Sequence, residues 1–230
     1  MTIEERVAKS VGMLELLERL TPRCTCITNE EFASILADIR YCLEKKQYQT
    51  DSAAFIEDAV IPKVKPGERF MFYGLKMVAL DVDREGITAI TTEPVRDKEF
   101  DEGGKSNWMH STLRPWLNSE WLADEGIDNA ELIEQRTSIV PDDTSDRIGE
   151  ADDYVQLLTC EQYRKWRKYI PDMDVWWWTM TPFSVSPSYC NNVRLVNSSG
   201  ALNYDNAHNS NGVVPRLKIR LCSEAIKPIG

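Results

Sequence analysis

The last third of the chain places a long amide-rich segment between a tryptophan run and an alternating strand pattern, and this order limits what the chain can fold into. Seven of the 11 asparagines lie in residues 188–212. Three consecutive tryptophans, residues 176–178, precede this segment, and an alternating pattern over residues 213–221 follows it. Short polar side chains supply adaptable hydrogen-bond donors and acceptors, which is the chemistry of recognition loops rather than of a catalytic centre. We therefore expect a braced scaffold that presents this segment to solvent.

Composition bounds the size and the partners of the protein. At 230 residues, with 42% hydrophobic and 28% charged residues, the chain can form one large domain, or one domain with a small appendage. The net charge of −10 argues against nucleic acid, which requires a basic surface. Residues 176–221 contain one acidic and four basic side chains, so the asparagine-rich end is the less acidic end. This charge distribution eases the approach of a neutral or acidic partner.

The six cysteines and the N-terminal sequence indicate where the protein is expected to reside. The one close pair, Cys24 and Cys26, lacks the two-residue spacer of zinc and redox motifs. There is no glycine-rich phosphate loop, and we predict no cofactor. The first residues contain no apolar signal core, and no apolar run reaches membrane-spanning length. We expect reduced thiols and a cytoplasmic or virion-associated protein without membrane insertion.

Two domains are predicted, a helical region over residues 1–60 and a larger domain over residues 61–230. Thr28 and Glu31 form a capping box between two apolar stripes of helical period, which predicts a helical hairpin. Short amphipathic helices usually bury their stripe against the same molecule. The alternative is a docking element that forms a homo-oligomer, and the sequence leaves both open.

The first part of the larger domain combines strand and helix patterns. Residues 69–83 and 86–92 are predicted as two strands joined by a polar turn. Ser111 is predicted to cap a helix over residues 113–121, which carries leucines and tryptophans on one side. Residues 142–153 are acidic and polar, and they are predicted to form a surface loop.

The second part of the domain continues this mixture. Residues 154–158 are predicted as a short strand, and Thr159 with Gln162 forms a second capping box that opens a helix. Residues 193–197 and 201–204 are predicted as the two arms of a hairpin around a Ser-Ser-Gly turn.

The final strand pattern completes the prediction of fold class. Residues 213–221 alternate with a period of two, which predicts one buried face and one exposed face that carries Arg216. The patterns show no βαβ rhythm. They predict an α+β domain with small antiparallel sheets and two helices.

Four ordered motifs in residues 62–222 resemble the landmarks of one protein family. The motifs are Asn107-Trp108-x-x-Ser111-x-Leu113-Arg114-x-Trp116-Leu117-Asn118, Leu157-Leu158-Thr159-x-Glu161, Trp177-Trp178-Thr179-Met180-Thr181-Pro182 and Gly212-Val213-Val214-Pro215-Arg216-Leu217. In this order they resemble an uncharacterised family of gut bacteria and their phages, a domain of unknown function that is similar to the C-type-lectin fold. Met180 and Val214 stand where the family has arginine, so any role of those arginines does not carry over.

The resemblance implies a small sheet with two helices that holds long binding loops on one face. Relatives of such a fold include the variable proteins of diversity-generating retroelements, in which C-terminal loop residues are altered through template adenines. Asparagine codons are rich in adenine, so the segment over residues 188–212 fits a variable protein of this kind. Asparagine is also a common turn residue, and presenting polar loops requires no such mechanism.

Catalytic and metal-binding interpretations have less support from the residues. Alternate members of the tryptophan run face opposite sides of a strand, and we expect them to lie mostly in the core. His110 and His208 are the only histidines and lack a set of metal-binding partners. Asp205 is the one carboxylate among the asparagines, which is too little charge for firm calcium binding.

We predict a non-enzymatic module that presents residues 183–192 and 203–211 as loops to a protein or glycan partner, with a receptor-binding role in a phage as one form. The predicted anchors are Phe183, Tyr189, Tyr204 and His208, and the predicted polar contacts are Asn191, Asn192, Asn203, Asp205, Asn206, Asn209 and Asn211.

Two alternatives stay open at this point. The first is an oxidase of the formylglycine-generating type that uses Cys190. It would need the Cα atom of Cys160 or Cys222 within roughly 7 Å of that of Cys190. The second is a structural virion or assembly protein in which residues 1–60 matter more than the loops.

Overall fold

The computed structural model describes residues 64–144 and 148–229, so the helical hairpin predicted over residues 1–60 lies outside the described part of the chain. Within that part, 13 strands form three small sheets with short helices packed on them. The domain therefore belongs to the α+β class, as the mixture of patterns predicts. None of the helices in these residues is long and apolar enough to span a membrane.

The largest sheet has six strands and is antiparallel at every pairing. Its strands are β1 (Arg69–Phe72), β2 (Leu75–Val82), β3 (Gly86–Thr91), β7 (Val155–Gln156), β12 (Arg216–Arg220) and β13 (Ile226–Pro228). They lie in the order β13-β1-β2-β3-β12-β7.

Residues 69–83 form two strands rather than the single predicted strand. Tyr73 and Gly74 both have positive φ angles, 49° and 82°, and form the tight turn between β1 and β2. Such turns are usually signalled by Asn-Gly or Asp-Gly, and a tyrosine in the first position hides the turn within an apolar run.

The second sheet has five strands and carries most of the asparagine-rich segment. Its strands are β4 (Arg96–Glu99), β8 (Trp177–Pro182), β9 (Asn192–Val196), β10 (Leu202–Asn206) and β11 (Ser210–Val213). They lie in the order β10-β9-β8-β11-β4, so β10 and β4 are its edges. All pairings are antiparallel except that of β8 with β11. The predicted hairpin is confirmed as β9 and β10.

A third sheet corrects the surface loop predicted over residues 142–153. Strand β5 (Gln135–Ile139) pairs antiparallel with β6 (Gly149–Asp153), and the side chain of Asp153 is buried. The acidic side chains of β6 hid the strand pattern because they serve as ion-pair partners, including Glu150 and Asp152 with Arg136.

Two helical stretches pack on these sheets. The first begins as α1 (Leu113–Trp116), continues as a π-helical turn (Leu117–Trp121) and ends as α2 (Leu122–Asp124). The Ser111 hydroxyl accepts a hydrogen bond from the backbone N–H of Arg114 at 3.3 Å, as expected of a capping residue. The second stretch is α3 (Cys160–Trp166), the longest α-helix described, and its predicted Thr159–Gln162 capping box is confirmed.

Alternate residues of the strands face two hydrophobic cores. Trp178 lies in the larger core, together with Leu117 of the first helical stretch. Trp177 lies in the smaller core, where Tyr163 of α3 packs edge-on against it. The two tryptophans therefore face opposite sides of β8, as predicted, whereas Trp176 precedes the strand and is 42% exposed.

The predicted exposure of Arg216 is wrong. Residues 213–221 divide between two sheets. Arg216 lies in β12, the strand between β3 and β7, and its side chain is buried. Its guanidinium donates to the Thr137 hydroxyl at 2.9 Å and to the Gln156 side-chain oxygen. Burial lowers the pKa of Arg216 to about 10. Alternation alone could not show that a third sheet covers this face.

Candidate recognition surface

The two segments predicted to bind a partner meet at one end of the five-stranded sheet. Asn206 pairs with Asn192 in the register of β10 with β9. Just beyond this pair, the backbone N–H of Ala207 donates to the carbonyl of Asn191 at 2.8 Å. Residues 183–192 and 203–211 are therefore neighbours.

Three aromatic rings from these segments form a cluster, which we call the aromatic patch: Phe183, Tyr189 and Tyr204. The ring centroid of Phe183 lies 5.3 Å from that of Tyr189 and 4.4 Å from that of Tyr204. Both tyrosines are exposed, at 46% and 42%, and Val185 of the first segment is also exposed. All three rings were predicted as anchors, and the structure brings them together.

Arg194 lies against the rings of this patch. Its guanidinium carbon is 4.5 Å from the ring centroid of Phe183 and 6.0 Å from that of Tyr204. Arg194 and Tyr204 are directly paired across β9 and β10, which places both side chains on the same face of the sheet. A cation over aromatic rings is attracted by their electron-rich faces, so the arginine and the rings stabilise one another.

A carboxylate fixes the position of this arginine. Asp142 accepts from Arg194 at 2.7 Å through one oxygen, and from Arg164 of α3 at 3.0 Å through the other. The Nε atom of Arg194 is buried and has no hydrogen-bond partner among the described residues. Sequence reasoning missed Arg194 and Asp142 as members of this surface. Strand pairing could have placed Arg194 opposite Tyr204, but no sequence signal joins residue 142 to β9.

Asn203 and Asp205, on the opposite face of β10, accept hydrogen bonds from groups of their own chain. Asp205 accepts from the side-chain amide of Asn209 at 2.7 Å through one oxygen, and from that of Asn211 at 3.0 Å through the other. The side-chain oxygen of Asn203 accepts from the backbone N–H of Tyr204 at 2.9 Å. These groups organise the chain around the strand, and their contacts within the protein occupy groups that a partner would otherwise bind.

The remaining predicted residues lie around the same end. Asn191 and His208 are exposed, while Asn192 and Asn206 are half-buried. The side-chain oxygen of Asn206 accepts from the backbone N–H of His208 at 3.3 Å. Residues 64–144 and 148–229 contain no group of three or more histidine, cysteine or acidic side chains that could hold a metal ion.

The prediction that both segments are loops needs correction. Six of the 11 predicted contact residues lie in strands, namely Asn192 in β9, Asn203, Tyr204, Asp205 and Asn206 in β10, and Asn211 in β11. Asparagine and aspartate are uncommon in strands because their side chains compete for backbone hydrogen bonds. In β10 the side chains of Asn203 and Asp205 bond backbone N–H groups on the side where the described part of the chain supplies no neighbouring strand.

A polar cleft of about 380 Å³ adjoins Asp142. It is lined by hydroxyl groups, by one thiol and by the ion pair of Asp142 with Arg164. The hydroxyl groups and the thiol belong to Ser138, Thr159, Thr181 and Cys160. Burial raises the pKa of the Cys160 thiol, which keeps the thiol protonated and weakly nucleophilic at neutral pH.

The three described cysteines are free thiols in different surroundings. Cys160 is buried and contacts the Thr179 hydroxyl. Cys190 is exposed and contacts the carbonyl of Pro187 at 3.5 Å, and Cys222 is exposed. No contact between any two of these thiols marks a reactive cysteine pair in the described residues.

The first motif of the family resemblance forms a buried network around Asp153. The indole N–H of Trp108 donates to one carboxylate oxygen at 3.1 Å, and Nε of Arg114 donates to the other at 2.8 Å. Asn118 both accepts from the backbone N–H of Val155 at 2.9 Å and donates to its carbonyl at 2.8 Å. The motif thus joins the first helical stretch to β6 and β7.

The two positions at which the chain departs from that family, Met180 and Val214, are both buried apolar residues. Comparison with protein-family models, with curated proteins and with solved structures gives no match for this chain.

Proposed function

We propose that this protein is a non-enzymatic recognition module of C-type-lectin-like fold, which binds a protein or glycan partner through the aromatic patch. One observation carries the proposal: two chain segments, 183–192 and 203–211, bring three aromatic rings together at the surface, over an arginine held by Asp142. Aromatic residues and arginine are the side chains that dominate binding energy at protein interfaces.

The chemistry of the aromatic patch suits a partner that is partly apolar. The exposed tyrosines combine a large apolar ring with a hydroxyl group that can donate and accept a hydrogen bond. Because two short segments and an ion pair hold Phe183 and Arg194 in place, little side-chain freedom is lost when a partner binds. The neighbouring polar cleft extends the surface with hydroxyl groups. A sugar with one apolar face, or a protein surface with an apolar side chain, fits this combination.

The proposal is tested by binding of the labelled full chain to an array of defined oligosaccharides and to an array of purified bacterial surface proteins. For any partner found, Tyr189→Ser combined with Tyr204→Ser should weaken binding by at least about 30-fold, the effect of losing an interface anchor worth about 2 kcal/mol. Trp176→Ser is the matched control, since Trp176 is equally exposed but lies outside the patch. Loss of binding in the control, with full binding in the double variant, would move the site elsewhere.

A variable protein of a diversity-generating retroelement is the particular form of this proposal that the asparagine-rich segment favours. The test is genetic. A near-copy of the codons for residues 176–215, differing from the gene at adenines and lying beside a reverse-transcriptase gene, supports it. A gene without that arrangement leaves a recognition module of fixed sequence.

A further inference from the structure

Strand β10 (Leu202–Asn206) is an edge of the five-stranded sheet and carries Tyr204 of the aromatic patch. An edge strand ordinarily presents a row of unpaired N–H and C=O groups, which can pair with a strand of another molecule. The outer side of β10 therefore determines what kind of partner can approach the patch.

The register of the hairpin shows which backbone groups face outward. The N–H of Asn197 donates to the carbonyl of Ala201 at 2.9 Å, and the N–H of Ala207 donates to the carbonyl of Asn191 at 2.8 Å. In an antiparallel pair, every second residue bonds to the partner strand and the residues between point their N–H and C=O groups away. The N–H groups of Tyr204 and Asn206 therefore point away from β9.

Both of these outward N–H groups are already bonded. The N–H of Tyr204 donates to the side-chain oxygen of Asn203 at 2.9 Å, and the N–H of Asn206 donates to a carboxylate oxygen of Asp205 at 2.8 Å. The carbonyl of Asn206 also accepts from the N–H of Asn209 at 2.9 Å. An incoming strand would have to break these bonds before it could pair.

A side chain also bonds edge backbone groups at another sheet of this domain. Strand β7 (Val155–Gln156) is an edge of the six-stranded sheet, and the side-chain amide of Asn118 bonds both the N–H and the carbonyl of Val155. One amide there takes the place of a neighbouring strand. Side chains thus occupy backbone groups at one edge of each large sheet.

We propose that Asn203 and Asp205 close β10 to strand pairing, so that this edge meets partners through side chains and does not pair with a second copy of the chain. The partner that fits the unblocked edge is β10 of another copy, because an antiparallel β10–β10 pair would extend both sheets. Closure of this edge is independent of whether a ligand binds the aromatic patch.

The test compares the full chain with Asn203→Leu, which keeps the side-chain shape but removes the acceptor, and with Asn203→Asp, which keeps an acceptor. Sedimentation velocity at two protein concentrations should show larger species for Asn203→Leu, and no change from the unsubstituted chain for Asn203→Asp. Adding Tyr204→Pro to Asn203→Leu removes the freed N–H, and it should restore the original sedimentation. If the larger species persist in that double variant, association is caused by the apolar leucine side chain rather than by the freed N–H, which would contradict the proposal.

Hydrogen exchange in the unsubstituted chain tests the same point without any variant. The amides of Tyr204 and Asn206 should have protection factors about tenfold above that of Leu202, whose N–H also points outward but has no side-chain acceptor within residues 64–144 and 148–229. Equal protection at Leu202, Tyr204 and Asn206 would overturn the inference, and it would leave the proposed binding function unaffected.

Discussion

Two carboxylates of this domain, Asp153 and Asp142, each form ion pairs with arginine, one within the domain and the other beside the aromatic patch. Asp153 accepts hydrogen bonds from Trp108 and Arg114 within the larger core, and Arg114 is 23% exposed. Asp142 accepts from Arg164, which is 58% exposed, and from Arg194, which is 21% exposed. The first carboxylate joins a helix to a sheet, whereas the second fixes an arginine beneath exposed aromatic rings.

A well-defined sequence motif can serve the packing of a domain alone. The motif over residues 107–118 bonds to β6 and β7, so its side chains serve packing within the domain. The aromatic patch has no comparable motif, because its residues come from separate strands and loops. Substitutions in the two regions should therefore separate folding from binding.

The largest expected effect is on folding, at Asp153. Asp153→Ala removes the acceptor of both Trp108 and Arg114 and should lower the free energy of unfolding by about 3 kcal/mol, because it leaves a partly buried cation and a buried indole N–H unpaired. Urea unfolding followed by tryptophan fluorescence measures this loss. A change no larger than that of Asp142→Ala would contradict the distinction between the two regions.

Asn118 should come next in size. Asn118→Leu removes the two hydrogen bonds to Val155 and should cost about 2 kcal/mol in the free energy of unfolding. Ser119→Ala on the same helical turn is the control, since its hydroxyl bonds the carbonyl of Pro115 at an exposed position. Similar losses in both variants would show that the Asn118 bonds add little.

Near the aromatic patch, a substitution should affect partner binding more than the free energy of unfolding. Asp142→Ala frees Arg164 and Arg194 and should lower the free energy of unfolding by about 1.5 kcal/mol. Arg164 is 58% exposed and its ion pair contributes little, whereas Arg194 is 21% exposed but keeps its contact with the Phe183 ring. It should weaken partner binding more than it weakens folding, since Asp142 no longer fixes the position of Arg194. Parallel measurements of unfolding and of binding to a partner from the arrays decide this, and unchanged binding would remove Arg194 from the surface.

The smallest expected effect is a pH dependence from Cys160. Burial raises the pKa of this thiol, so the folded state retains its proton where the unfolded chain loses it. Its contribution to stability is fully present below the unfolded pKa of about 8.5 and is lost as the pH rises through the higher folded pKa. Cys160→Ser should show a shallower decline in that window than the unsubstituted chain, and equal slopes would contradict a protonated buried thiol.

Local chemistry allowed several elements to be predicted from sequence. The capping box of Thr159 and Gln162 and the β9–β10 hairpin depend on neighbouring residues, and both were found where predicted. The three aromatic anchors were also selected from residue type and position. The turn at Tyr73 was missed because its left-handed backbone has no sequence signature there.

Contacts between distant residues could not be predicted in this way. The burial of Arg216 depends on Thr137 and Gln156 from two other strands, and the role of Asp142 depends on arginines 22 and 52 positions away. The asparagines looked like free contact groups because their sequence could not show that backbone N–H groups and Asp205 would occupy them.

We expect the aromatic patch, rather than the network around Asp153, to contact the partner. Hydrogen exchange of the full chain, with and without a partner identified on the arrays, tests it most directly. Slower exchange confined to residues 183–192 and 203–211 is the predicted result. Protection of residues 107–118 with unchanged exchange in those two segments would contradict it.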